Sequence, residues 1–141
     1  MVLDPLNNVV TLLSNNWNSS NTNDRTPVID KIFNHKRIDL ANDDYVLVYS
    51  LTRRTKPNGI GSATKESEDV IIIDVRTVLT ESHFRAMWDE LVRILDNNII
   101  DPDATYDILK PDGEEKDLSD KSHNLWRMTK EIVLWRTNIS R

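Results

Sequence analysis

The sequence predicts an α+β domain: a mixed, largely antiparallel sheet packed on one face by two amphipathic helices, with a long β-hairpin loop projecting from it. Three observations carry this. Residues 44–53 and 69–77 are dense in β-branched and aromatic side chains, which fit a pleated surface. Residues 5–17 and 81–96 repeat apolar residues every three or four positions, the spacing of one helix face. Between the two strands lies an arm, 54–68, of which the 14 residues 55–68 are mostly polar or small, far more than a tight hairpin needs. A chain of 141 residues is expected to form one domain, 1–141, with a core of its own.

Each element has a local reason. Asp4 followed by Pro5 is a helix opening, a side-chain acceptor and then a residue already set for the first turn. Leu6, Val9, Val10, Leu13 and Trp17 then share one face, and an asparagine-rich stretch ends the helix. Val28, Ile29, Ile32 and Phe33 fit either a short helix or a strand, and Lys36 to Leu40 fits a brief edge strand. In 44–53, Tyr45, Leu47, Tyr49 and Leu51 alternate with Val46 and Val48, so both faces are apolar and the strand is expected to be covered on two sides. Thr80 is a candidate N-cap for 81–96, where Phe84, Met87, Trp88, Leu91, Ile94 and Leu95 form the apolar stripe. Arg85, Asp89, Glu90 and Arg93 are expected to face water.

Residues 104–110 read as a strand and 114–121 as exposed loop after the turn at Pro111 to Gly113. The last segment fits two periods. Leu125, Met128, Ile132 and Trp135 recur helically, whereas Trp126, Met128, Ile132 and Leu134 alternate. A strand over 128–137 is favoured by its β-branched and aromatic run. Alternation would place Trp126 and Trp135 on opposite faces, leaving one available to anchor an interface.

Composition narrows the function classes. No cysteine means no disulfide and no thiolate-bound zinc. No apolar run approaches the roughly 20 residues that cross a bilayer, and the start of the chain lacks a signal-peptide pattern, so a soluble protein without a membrane partner is expected. Residues 1–65 carry 8 basic and 6 acidic side chains, and 66–141 carry 10 and 17. That is a poor footprint for nucleic acid but suits a subunit with unlike faces. The three glycines, Gly59, Gly61 and Gly113, do not lie between a strand and a helix start, which sets aside a phosphate-cradling loop.

Few constellations carry chemistry. Asp74 and Arg76 share a strand face and, with Asp44 or Asp69, are faintly similar to the acidic sites of metal-dependent nucleases. Arg76 stands where such a site wants a lysine, and a guanidinium does not act as a general base near neutral pH. A cross-strand ion pair explains the same residues. His35, His83 and His123 lack the spacing of a helical zinc pair, and Asp101, Asp103 and Asp107 lack the glycine and closing glutamate of a calcium loop. No catalytic residue, metal site or cofactor is therefore expected. A peptide-binding adaptor remains a further alternative.

The order helix, long-looped strand pair, helix and closing strands resembles the tail-terminator (tail-completion) proteins of tailed viruses, the minor tail protein U type. The likeness rests on Val9 to Trp17, Asp44 to Ser50, Ile71 to Thr77 leading into Met87 to Leu95, and the closing segment from Leu118 to Leu134. It is a likeness of elements and lengths, and other neck and head-completion proteins share it. It implies a structural virion protein made in the host cytoplasm. Such a subunit forms a homo-oligomeric, usually hexameric ring that caps the tail tube protein and meets the neck or connector protein of the head. On that basis the expected contacts are the arm, with Arg53, Arg54, Lys56, Asn58, Lys65, Glu66 and Glu68, and the charged loop, with Asp112, Glu114 and Lys116.

Overall fold

The computed structural model describes residues 5–17, 27–31, 44–57, 65–100, 108–111, 113–123 and 125–139. Six strands form one mixed sheet and two helices pack on it, so the α+β expectation is met. The elements are α1 (Pro5–Asn16), β1 (Val28–Lys31), β2 (Tyr45–Pro57), β3 (Lys65–Thr77), α2 (Glu81–Asn97), β4 (Ile108–Lys110), β5 (Glu115–Asp117) and β6 (Trp126–Ile139). Strand order is β1-β2-β3-β6-β4, with β5 also on β6. Only β1 runs parallel to its neighbour.

The core lies between the helices and one sheet face. Leu6, Val9, Leu13 and Trp17 of the first helical segment meet Val46 and Val48 of β2, Ile71, Ile73 and Val75 of β3, and Ile132 and Leu134 of β6. Phe84, Met87, Leu91, Ile94 and Leu95 of α2 complete the cluster. α1 lies against β1 and β2, and α2 against β3 and β6, so both helices cover the same face. Thr80 caps α2 as expected, its hydroxyl accepting from the His83 N–H at 3.1 Å.

Several expectations need correction. Glu90 does not face water: it is 1% exposed and paired with Arg93. Arg93 also donates from Nη2 to the Asn16 carbonyl at 2.8 Å, so the pair ties α2 to the last turn of α1. The ambiguous 28–31 segment is a strand, and the 36–40 segment lies outside the described residues. The strands expected over 44–53 and 69–77 are longer. Their ladder continues through Arg53↔Asp69, Arg54↔Glu68, Lys56↔Glu66 and Pro57↔Lys65, so 54–57 and 65–68 are paired strand and not loop. The remaining loop, 58–64, lies outside the described residues.

The stretch 114–121, read as loop, contains β5, paired to β6 through Glu115↔Lys130 and Asp117↔Met128, and a 3-10 turn begins at Lys121. Of the strand expected at 104–110, 108–110 is β4 and 104–107 lies outside the described residues. The closing segment is a strand, longer than the expected 128–137.

Candidate interface on the sheet face away from the helices

Alternation along the strands divides the sheet cleanly. Even-numbered β6 residues and odd-numbered β3 residues face the helices. The opposite set, Tyr45, Leu47 and Tyr49 on β2, Ile72, Asp74 and Arg76 on β3, and Arg127, Thr129, Glu131, Val133 and Trp135 on β6, faces the other way. No described helix covers this second face. The two-sided cover expected for β2 is therefore supplied by helices on one side only. Leu47 and Asp74 are nonetheless buried, at 1% and 0% exposed.

Asp74 is the anchor of this face. Arg76 donates to its Oδ2 from Nε at 3.2 Å and Nη2 at 2.8 Å. Arg127, opposite Arg76 in the ladder, donates from Nε to Oδ1 at 3.1 Å and from Nη2 to Oδ2 at 2.9 Å. Two guanidiniums share one carboxylate, so the cluster carries a net positive charge. The Tyr49 hydroxyl feels it too: partial burial and then the Asp74 charge push its pKa above the usual tyrosine value, and the two arginines only partly oppose this.

Two strand steps away the face becomes apolar and then acidic. Tyr49, Leu51, Ile72, Leu118 and Thr129 line a groove of about 390 Å³, with Glu114, Lys116 and Glu131 at its rim. Leu51, where the β2–β3 register shifts, is 59% exposed. Gly113 crosses close over β6, and the Glu131 N–H donates to the Glu114 carbonyl at 2.9 Å. A Cβ at Gly113 would lie 2.2 Å from the Glu131 carbonyl oxygen, so the close approach needs glycine. Tyrosine, arginine and half-exposed apolar side chains together are the composition of protein contact sites.

The structure distributes the expected residues unevenly. Glu114 and Lys116 border the groove and are exposed. Glu68 is half-buried on β3, while Arg53, Arg54 and Lys56 occupy β2 and Lys65 and Glu66 occupy β3. Asn58 and Asp112 lie outside the described residues. The four nuclease-like residues do not converge. Asp44 accepts from the Thr77 hydroxyl at 2.7 Å and contacts His83 Nε2 at 2.5 Å. Asp69 pairs with Arg136 on the helix side at 3.1 Å, and only Asp74 and Arg76 touch each other. Among the described residues no three metal-ligating side chains cluster, and no helix is long and apolar enough to cross a membrane.

Tyr49, Ile72, Arg127, Thr129 and Glu131 were not singled out from sequence as a site. For Arg127, Thr129 and Glu131 the signal was present, as odd-numbered polar residues alternating with core residues in the last strand, but it gains meaning only once β6 sits beside β3. Trp135 stands half-buried on this face and Trp126 packs toward the core, in line with the expected division. Compared with known proteins, the chain matches no family model and no curated sequence.

Proposed function

We propose that this protein is an assembly subunit of a tailed virus, a tail terminator that forms a ring capping the tail tube and joining it to the neck of the head. The observation that carries an assembly role is the sheet face turned away from both helices, where Tyr49, Ile72, Arg76 and Arg127 are partly exposed and Leu51 is exposed. The narrower assignment is supported by the order of elements, which follows that of tail terminators. Ring closure requires each subunit to present two different patches to its two neighbours. The β2–β3 extension at one end of the sheet and the charged β4–β5 edge are such a pair.

The experiment is a mass measurement by light scattering, with electron microscopy of the purified protein. A closed ring, hexameric in the expected case, supports the reading, and a strict monomer at all concentrations sinks it. A variant with a shortened hairpin tests the arm. Thr55 and Ser67 face each other in the ladder, so Asn-Gly in place of residues 56–66 closes the hairpin with a two-residue turn. This variant should fold and fail to form rings.

A further inference from the structure

We infer that the groove between Leu51, Ile72 and Leu118 is a peptide-recognition site. It takes an extended segment of a partner protein that carries a basic, an apolar and an acidic side chain at alternate positions. The inference rests on the groove itself and holds whether or not the chain builds rings.

The first argument is unmatched charge. The Glu131 N–H donates to the Glu114 carbonyl at 2.9 Å, so the two glutamates are neighbours, and both line the groove. Among the described residues neither carboxylate has an ion-pair partner. Like charges on neighbouring strands cost stability, and a cationic ligand offsets that cost. At the other end the sign reverses. Arg127 stands four positions back along β6, about 13 Å away, with Lys116 between them beside Thr129. Asp74 neutralises only one of Arg76 and Arg127, so this end stays basic.

The second argument is the floor. Thr129 is 6% exposed and lines the groove, yet among the described residues its hydroxyl has no hydrogen-bond partner. The Tyr49 hydroxyl, on the same groove, has none either. A nearly buried hydroxyl left without a partner is costly, and the backbone of a bound segment supplies one. Ile72 on β3 and Leu118 beside Arg127 flank Thr129 on a diagonal, and Leu118 is 43% and Leu51 59% exposed, so the apolar walls are open to water.

The third argument is spacing. Alternate side chains of an extended chain recur roughly 6.8 Å apart, as do Glu131, Thr129 and Arg127 along β6. A segment lying along β6 sets its basic residue on Glu131 and Glu114, its apolar residue between Ile72 and Leu118, and its acidic residue on Arg127 and Lys116. The volume of about 390 Å³ seats the apolar side chain and the stems of its neighbours.

Isothermal titration of the full chain with capped peptides tests this. The peptide Arg-Ser-Leu-Ser-Glu should bind saturably. Glu-Ser-Leu-Ser-Glu, without the base, and Arg-Ser-Ser-Ser-Glu, without the apolar residue, should each bind at least about fivefold more weakly. Glu131→Lys should abolish the preference for arginine over glutamate. Arg127 also braces Asp74, so the basic end is tested at Lys116, where Lys116→Glu should weaken binding of the first peptide. Glu131→Gln should weaken binding without lowering the melting temperature, because it relieves the repulsion from Glu114; a lower melting temperature with unchanged binding would show a role in the fold alone. No binding of the first peptide, equal binding of all three, or equally tight binding of capped arginine by itself would overturn the inference, the last by making the groove a site for a single cation. Replacement of the arm residues 56–66 should leave peptide binding intact, which separates this site from ring formation.

Discussion

Asp74 and Arg127, 53 residues apart in sequence, lock β3 to β6 through paired hydrogen bonds of 3.1 and 2.9 Å. The carboxylate is fully buried and the guanidinium about a quarter exposed, so the contact lies at the boundary between core and the face away from the helices. Asp74→Ala removes the only acid from a group of two arginines on adjacent strands. The cost should be about 2–3 kcal/mol, below that of a fully buried pair because both guanidiniums reach solvent. Urea unfolding measures it, and an unchanged midpoint would show that the triad is not structural.

The Glu90–Arg93 pair makes a different prediction. Arg93→Ala removes a guanidinium from beside the 1% exposed Glu90 and the donor to the Asn16 carbonyl. A loss of about 2–4 kcal/mol is expected. Because Arg93 joins the two helices, hydrogen exchange should also speed up in α1 more than in β3. Uniform acceleration across the chain would argue against a local tie.

Gly113→Ala should destabilise by about 1–3 kcal/mol, since its Cβ would meet backbone and backbone cannot rotate away. The strain falls on the β4–β5 connection over β6. Thermal melts give the size of the effect, and a neutral result would mean that this connection stands farther from Glu131.

Tyr49 supplies a pH dependence. Its folded pKa is raised, first by desolvation and then by Asp74, so the folded state holds the phenolic proton more tightly than the unfolded chain. Stability is full below the ordinary tyrosine range near pH 10 and declines as pH rises through the folded value. Tyr49→Phe should flatten that decline. Alkaline absorbance titration would show Tyr49 ionising late, and losing that late phase in Tyr49→Phe assigns it.

Much of the fold was legible in residue order. The stripe of α2, the Thr80 cap and the strand character of 69–77 follow from local pattern, because burial on one side stamps a period on the sequence. The polar halves of β2 and β3 carry no apolar period that marks them as strand. Lys56 and Glu66 are both charged, and only their alignment in a ladder makes them strand. β5, all exposed, left no hydrophobic trace for the same reason. Glu90 was misplaced because a buried ion pair looks like a solvated helix face until the neighbouring helix is known.

Residue order alone determined the two amphipathic helices, the apolar strand cores and the α+β class, since each is written in side-chain periodicity over a few turns or residues. Tertiary structure alone decided which face the helices cover, that Asp74 sits between Arg76 and Arg127, and that Asp44 and Asp69 belong elsewhere. Those relations depend on strand order and register, which bring together side chains dozens of residues apart and which no local period encodes.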